Sequence, residues 1–288
     1  MSIKIKTAEE IEKIRKASKV AVEILEMIEP HIQEGVTTNT LNQICHDYAL
    51  KNRTYPATLD YYGFPKSICT SINHIVCHGI PANKDKFNSK GIMKPAVLKN
   101  GDIINIDVTV IAPDDKNADL LTRPIGYYGD TSKMFLVGQE EVSQANKRLC
   151  MVAQKALYIG IKKVKPGVKI GEIGSAIEKY IKENNKLNPR SKYSIVKDFC
   201  GHGIGNEFHE EPQIMHYKND NSYLLKKGMC FTIEPMINAG KSNCIIDSDD
   251  NWTVYTEDGK NSAQWEHTIL VTSSGYDILT LRTEETIS

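Results

Sequence analysis

Apolar residues recur three and four positions apart in two stretches of the chain. The first stretch begins at Ile11 and continues to Pro30, and the second begins at Leu149 and continues to Leu157. Residues at this spacing share one face of an α-helix, so both stretches predict amphipathic helices. Thr7 and Glu10 have the spacing of a capping box, which places the start of the first helix there. A glycine-containing turn and another amphipathic stretch follow each helix.

The second helical region repeats the first at a fixed distance along the chain. Six identical pairs differ by 132 positions: Val20/Val152, Ala21/Ala153, Leu25/Leu157, Gly35/Gly167, Val36/Val168 and Tyr48/Tyr180. His78-Gly79-Ile80 also recurs as His202-Gly203-Ile204. This shared order indicates an internal duplication. We therefore predict one α+β domain over residues 1–288, with pseudo-twofold halves of about 1–137 and 138–288 and helices outside a curved antiparallel sheet.

Alternating apolar and polar residues mark the strands that carry the candidate chemistry. In residues 102–111, DIINIDVTVI, isoleucine and valine side chains occupy one face, and Asp107 lies on the other. The same alternation places Glu234 and Glu266 on the polar faces of later strands, and Asp130 follows after a hairpin. Each half of the chain thus offers two acids at corresponding positions.

Four carboxylates that met in one cleft would repel one another unless cations neutralised them. No lysine or arginine lies within three residues of Asp107, Glu234 or Glu266, and Lys133 is three residues from Asp130. Two divalent ions would balance the four charges. His202, among glycines that allow close backbone approach, is the candidate neutral ligand. The residues therefore favour a paired-metal site over four separate solvated acids.

Composition excludes several classes of protein. The chain has 288 residues, 40% of them hydrophobic, and its 36 basic side chains equal its 36 acidic ones. This balance gives no electrostatic case for nucleic acid or an anionic membrane as a partner. There is no apolar run of ~20 residues and no apolar block typical of a signal peptide. Seven cysteines without a Cys-x-x-Cys pair argue against a disulfide framework and favour a reducing cytoplasm.

Six segments in order resemble the type I methionine aminopeptidases, which have the pita-bread fold of the creatinase/aminopeptidase family. They are VCHGIP, NIDVTV, GDTSKMF, CGHGIGNEFHEEPQI, FTIEPMI and AQWEHTILVT. The resemblance implies two divalent ions, of Co, Mn, Fe or Zn, and the metal ligands Asp107, Asp130, His202, Glu234 and Glu266. Asp130 and Glu266 would bridge the ions, and Glu234 would also be the general base. His78 and His209 match the two active-site histidines that bind no metal.

The resemblance also implies what the enzyme acts on. Its methionine pocket would be formed by Tyr61, Phe64, Cys69, Phe208 and Trp252, with His78 at its floor. At Thr58 and Phe64 many relatives carry Cys and Tyr, so both positions depart from the common pattern. Asn73, Ile75 and Ser262 form a candidate site for a monovalent cation.

The expected activity is removal of the N-terminal methionine from new polypeptides when the second residue is small. We expect a cytoplasmic monomer that meets these chains near the ribosome, without a specific nucleic-acid or membrane partner.

Three alternative functions stay open at this point. The chain could be a proline-directed aminopeptidase or dipeptidase, a non-catalytic module of the same fold, or a cysteine peptidase using Cys77 or Cys200. Two stretches, 83–100 and 111–127, are longer than the family pattern and rich in polar and turn-forming residues. They are expected to be surface excursions, with a docking surface as the alternative.

Overall fold

The described part of the chain, residues 3–285 of the computed structural model, contains four α-helices, two short 3-10 helices and seventeen strands. The helices are α1 (Ala8–Ile28), α2 (Thr38–Lys51), α3 (Gln144–Ile161) and α4 (Gly171–Leu187). The strands of the first half are β1 (Tyr55–Pro56), β2 (Cys69–Ile72), β3 (Ile75–Cys77), β4 (Lys86–Phe87), β5 (Met93–Lys94), β6 (Ile103–Pro113) and β7 (Gly126–Leu136).

The strands of the second half are more numerous and mostly shorter. They are β8 (Ser194–Ile195), β9 (Gly201–Gly203), β10 (Glu210–Ile214), β11 (Cys230–Ile233), β12 (Met236–Asn238), β13 (Cys244–Ile246), β14 (Val254–Thr256), β15 (Ser262–Gln264), β16 (His267–Val271) and β17 (Tyr276–Ile278). Within residues 3–285, none of the helices combines the length and the apolar character that a membrane span requires.

The first helix begins where the sequence predicts it. Thr7 Oγ1 accepts a hydrogen bond from the Glu10 amide at 3.2 Å, and the Glu10 carboxylate accepts one from the Thr7 amide at 2.7 Å. This reciprocal capping box satisfies two amides that have no partner within the helix. The buried face of α1 contains Ile14, Ala17 and Leu25, as the apolar spacing predicts.

Two antiparallel sheets form the centre of the structure. In the first, β6 pairs along its whole length with β7 on one edge and with β1 and β2 on the other. In the second, the strand order is β10-β9-β11-β16-β17. The two helix pairs cover the apolar faces of the sheets: Ile106 and Val108 belong to the core beneath α1 and α2, and Phe231 and Ile233 to the core beneath α3. The α+β prediction is confirmed.

The two sheets meet where β7 lies beside β16, and hydrogen bonds cross between them in both directions. Thr131 Oγ1 donates to the Glu266 carbonyl, and Thr268 Oγ1 donates to the Asp130 carbonyl, each at 2.8 Å. The Glu266 amide also donates to the Ser132 carbonyl at 3.2 Å. We call this junction the seam. It places one acidic residue from each half of the chain side by side.

The two longer stretches have defined structures. Within 83–100, β4 and β5 pair as a hairpin, with Lys86 opposite Lys94. Within 111–127, β6 and β7 remain paired as far as Pro113 and Gly126, so the connection leaves the strand ladder intact. The intervening loop folds back, and the Arg123 guanidinium donates to the carbonyls of Ala57 and Leu59 at 2.8 and 2.7 Å.

The close contact between α1 and β7 depends on a glycine beside the acidic residue Asp130. A Cβ at Gly129 would lie 2.2 Å from the Ser18 backbone nitrogen. We therefore expect Gly129→Ala to lower the free energy of unfolding by about 1–3 kcal/mol, because helix and strand must separate. Urea denaturation measures the change. Gly275→Ala is the matched control, since no atom lies within 4 Å of its added carbon; equal midpoints for the two variants would show that α1 can shift freely.

Candidate metal centre and active site

Asp107 and Asp130 lie on neighbouring strands and on the same face of the first sheet. Asp130 is opposite Thr109, and Asp107 is two residues before Thr109, so the two acids are diagonal neighbours across the β6–β7 ladder. Thr109 Oγ1 donates to Asp130 Oδ1 at 2.7 Å. Asp107 Oδ1 is covered by surrounding atoms and has no hydrogen-bond partner within the described residues. A buried acceptor without a donor is costly unless a ligand binds it.

The second sheet supplies an imidazole and two more carboxylates. His202 Nε2 lies 3.6 Å from both Asp130 Oδ2 and Glu234 Oε1. One ligand atom from each of Asp130, His202 and Glu266 can be chosen so that all lie within 4.8 Å of one another. The glycines on either side of His202 are needed here, because a Cβ at Gly201 or Gly203 would lie 2.3 or 2.2 Å from a neighbouring strand's carbonyl oxygen.

Burial and mutual repulsion keep protons on the carboxyl groups when no cation is bound. Burial, and then the charge of Asp130, raise the pKa of Asp107 well above its ordinary value. Burial raises the pKa of Asp130 to about 7. The pKa values of Glu234 and Glu266 are raised for the same two reasons. Ionising all four groups together therefore requires positive charge in the cleft.

One buried arginine, Arg282, lowers a carboxyl pKa in this cluster instead of raising it. The residues around each acid in the sequence give no sign of it. The charge of Arg282 lowers the pKa of Glu266, although burial and the three other acids outweigh it. Arg282 follows Glu266 by sixteen positions, and a search for basic residues beside each acid misses it. Only the folding of the C-terminal segment against the seam brings it there.

The donor set fits divalent metal ions. Four carboxylates and one neutral imidazole converge, burial lowers the pKa of His202 to about 4, and a carboxylate oxygen of Asp107 is left without a donor. A neutral imidazole is free to bind a cation. Oxygen-rich sets with a single nitrogen suit Mn, Fe, Co or Zn. The structure thus brings together all five predicted ligands.

The two predicted non-ligand histidines lie beside this cluster. His78 adopts a positive φ of 55°, and burial lowers its pKa to about 4. The His209 ring lies 4.2 Å from that of His202, and its Nδ1 is 2.8 Å from the Tyr61 hydroxyl. Desolvation and then the proximity of His202 lower the pKa of His209. Near neutral pH both rings are therefore uncharged hydrogen-bonding groups.

One cavity of about 600 Å³ contains the acidic cluster and the predicted methionine pocket. Its walls include every predicted pocket residue: Tyr61, Phe64, Cys69, Phe208 and Trp252, together with Thr58. The Tyr61 and Phe208 rings are 4.8 Å apart, and Phe64 meets Trp252 edge-on at 5.3 Å. Phe199 and Met236 also line the cavity but were not identified from sequence. Their positions beside the CGHGIG and FTIEP segments are the only local signal for them.

The residues of the candidate monovalent-cation site also lie close together. The Ser262 amide donates to the Asn73 carbonyl at 2.8 Å, and Ile75 begins β3 two residues after Asn73. Asn73 has a positive φ of 54° and donates from its side chain to Asp102 at 2.7 Å. Cation binding by these residues stays a prediction.

Comparison with known proteins assigns the chain to a family. The model of "Metallopeptidase family M24" matches residues 12–273. The chain belongs to this family. Within family M24 it is 49% identical to the methionine aminopeptidase of Buchnera aphidicola over 290 residues, covering 100% of this chain and 97% of that protein. The crystal structure of methionine aminopeptidase from Rickettsia prowazekii matches with a TM-score of 0.84 and 47% identity, over 97% of this chain and 100% of that one.

More distant solved structures share the fold. The X-Pro aminopeptidase from Thermotoga maritima matches with a TM-score of 0.67 at 22% identity, over 98% of this chain but 63% of that one. At this identity the likeness shows the fold alone. The pita-bread fold and the family resemblance predicted from sequence are confirmed.

The raised carboxyl pKa values predict how stability depends on pH. Without bound ions, the folded chain holds protons on buried carboxyls that the unfolded chain has lost, so stability falls as pH rises. Above about pH 7.5 the histidines with lowered pKa values, such as His202 and His216, are neutral in both states and contribute little, whereas nearer pH 6.5 the unfolded chain still protonates them and their contribution has the opposite sign. We expect a loss of about 1.4 kcal/mol per pH unit for each carboxyl that remains protonated.

Urea unfolding of chelator-treated protein at several pH values measures this slope. The same protein loaded with Mn²⁺ is the control, because bound cations let the carboxylates ionise in the folded state. The loaded protein is expected to show a flatter dependence. Identical slopes with and without Mn²⁺ would contradict the assignment of protons to this cluster.

Proposed function

We propose that this M24 enzyme removes the N-terminal methionine from newly made polypeptides whose second residue is small, by metal-assisted hydrolysis of the first peptide bond. The observation that carries the proposal is the single cavity in which the acidic cluster adjoins the aromatic pocket. The full-length similarity to methionine aminopeptidases supports the same activity. We further propose that residues 1–288 act as one catalytic domain, as a cytoplasmic monomer that meets nascent chains near the ribosome.

Five residues would hold two divalent ions: Asp107, Asp130, His202, Glu234 and Glu266, with Asp130 and Glu266 shared between the ions. Such ions supply Lewis acidity and lower the pKa of bound water towards neutrality. Mn, Fe, Co and Zn all suit this donor set.

Glu234 is the proposed general base. Its two oxygens are held separately, since Thr232 Oγ1 donates to Oε1 at 2.8 Å and Gln264 Nε2 donates to Oε2 at 3.3 Å. Its backbone amide donates to His216 Nε2 at 3.1 Å, which anchors the residue from behind. A carboxylate fixed in this way can take a proton from the attacking water and pass it to the leaving amine.

The two non-ligand histidines would bind the reacting peptide. Tyr61 contacts His209 Nδ1 and so orients the ring, leaving Nε2 to hydrogen-bond the oxygen on which negative charge develops. The His78 ring lies 5.9 Å from the Trp252 ring and lines the same cavity as the acidic cluster. It is proposed to hydrogen-bond the scissile amide. Both roles use neutral imidazoles, in keeping with their lowered pKa values.

The pocket would select methionine by its shape and polarisability. Phe64, Phe208 and Trp252 present aromatic surfaces, and Cys69 adds a sulfur-bearing wall. A flexible thioether makes favourable contacts with aromatic rings and fills irregular space. Phe64 is buried, so the loss of a hydroxyl relative to the commoner tyrosine removes a polar group that would need a partner there.

A cysteine-peptidase reaction is not supported by the thiols. Burial raises the pKa of Cys77 well above its ordinary value and that of Cys200 to about 11. Since the thiolate is the nucleophile, neither cysteine is activated near neutral pH. All seven cysteines, each within residues 3–285, are free thiols.

Methionine release from Met-Ala-Ser tests the activity directly. We expect turnover that a chelator abolishes and that Mn²⁺, Fe²⁺, Co²⁺ or Zn²⁺ restores to different extents. An Ala-Pro-Ala peptide should be a poor substrate, which separates this activity from that of the proline-directed relatives. No turnover of either peptide under any metal would favour a non-catalytic module.

Replacement of the proposed base tests the role of Glu234. We expect Glu234→Gln to lower kcat by about 10²–10⁴-fold, because the amide cannot accept the proton. Metal content, measured on the same samples, separates loss of the base from loss of an ion. Glu183→Gln, on the exposed side of α4, is the matched control. Near-normal turnover of Glu234→Gln would remove Glu234 from this role.

A further inference from the structure

Side chains of the β4–β5 hairpin contact a turn that lies far along the chain, residues 247–253. This turn contains the pocket residue Trp252. Lys94 Nζ lies 2.6 Å from Asp247 Oδ2 and 2.8 Å from Asp250 Oδ2. At the hairpin tip, Asp249 accepts hydrogen bonds from the Ser89 amide and hydroxyl at 2.7 and 2.5 Å. We call residues 247–253 the acidic turn. Its three aspartates all bind the hairpin.

The same carboxylates organise the backbone of the acidic turn. Asp250 Oδ1 accepts from the amides of Trp252 and Thr253, each at 2.8 Å. Asp247 accepts from the Tyr255 hydroxyl at 2.7 Å, and its side chain is 0% exposed. Lys94 thus lies between Asp247 and Asp250, the two carboxylates that hold the turn through these hydrogen bonds. Although burial opposes the change, hydrogen bonds to both aspartates raise the pKa of Lys94.

The base of the hairpin is held independently of the acidic turn. Asp85 accepts hydrogen bonds from the amides of Ala96 and Val97 at 2.8 and 3.0 Å. The His74 ring contacts the Met93 carbonyl at 2.9 Å through Nε2. The hairpin is therefore a supported element from which Lys94 reaches the turn, and its contacts add to the pairing of β13 with β14, the two strands that the turn joins.

The acidic turn carries a wall of the active-site cavity. Trp252 contacts Phe64 edge-on at a centroid distance of 5.3 Å and lies 5.9 Å from the His78 ring. Its backbone amide is one of the two groups that Asp250 holds. A displacement of this carboxylate would therefore move the indole relative to both neighbouring rings.

We propose that Lys94 is a positioning residue that sets the shape of the first-residue pocket through the acidic turn and Trp252. The hairpin within 83–100 is then a specificity element of this chain. Without the ammonium group, a fully covered carboxylate at Asp247 would face Asp250 with no cation between them, and the turn would relax outwards. The expected effect of Lys94 on methionine binding rests on the proposed function. Its expected effect on the position of the Trp252 indole does not.

Steady-state kinetics with Met-Ala-Ser separate positioning from chemistry. We expect Lys94→Ala to raise KM about tenfold while kcat stays within about twofold, since the pocket and not the acidic cluster is disturbed. Lys94→Arg should return KM to within about threefold of the parent value. Lys90→Ala is the matched control, because it removes the same charge from an exposed position on the same hairpin. It should leave both constants unchanged.

Acrylamide quenching of tryptophan fluorescence provides a readout that needs no substrate. The chain has two tryptophans, and Trp265 is buried at 8% exposure, so the quenchable fraction reports Trp252. Lys94→Ala should increase that fraction and Lys90→Ala should not. Circular dichroism checks that each variant is folded. If Lys94→Ala does not fold, Asp249→Ala removes only the exposed contact with Ser89 and should change KM and quenching in the same direction but less.

Parent-like KM and parent-like quenching in Lys94→Ala would overturn the inference. Equal effects of Lys90→Ala, or a fall in kcat with an unchanged KM, would also overturn it. Failure of the proposed function has a different signature, because the parent protein would then release no methionine. The quenching experiment would still decide whether Lys94 holds the Trp252 turn.

Discussion

The main physical constraint on this structure is that four carboxyl groups and one imidazole lie close together in a cleft with little access to water. Mutual repulsion and desolvation both oppose this arrangement, and the raised pKa values of Asp107, Asp130, Glu234 and Glu266 are its direct expression. The backbone holds the acids in place despite this repulsion, because Asp107 and Asp130 lie within paired strands and Glu234 and Glu266 directly adjoin them. Divalent cations would remove this repulsion, so the residues that repel one another in the cleft are also the ones suited to hold ions.

The seam between β7 and β16 keeps the two halves of the acidic cluster in register. Behind it lies a buried network in which Arg282 donates to Thr131 Oγ1 at 2.9 Å and to Glu285 at 2.8 Å. His267 Nε2 is 3.1 Å from the second oxygen of Glu285. Thr131 and His267 directly follow Asp130 and Glu266, the two acids proposed to be shared between the ions. The C-terminal segment therefore supports the strands next to Asp130 and Glu266 from the side away from the cavity.

Both longer stretches turn back towards the cavity rim. The hairpin of the first holds the turn that carries Trp252, and Arg123 of the second holds the carbonyls of Ala57 and Leu59 below Tyr61. The Arg123 guanidinium also lies 5.5 Å from the Tyr61 ring. Residues 83–100 and 111–127 are therefore more than surface loops, because both contact segments that line the cavity. Each one supports a different wall of the same pocket.

Features that depend on local periodicity or on repetition could be predicted from the order of the amino acids. Helical spacing located α1 and α3, strand alternation assigned Asp107 and Glu234 to polar faces, and the duplication indicated that acids from both halves correspond. Packing in the folded protein produced three features that no local pattern indicated: the seam, the approach of Arg282 to Glu266 and the contact of Lys94 with Asp247. The physical reason is that these contacts join side chains from separate elements, in the last case 153 positions apart. Periodicity reports which face a residue occupies, whereas the partner across that face depends on how whole elements pack.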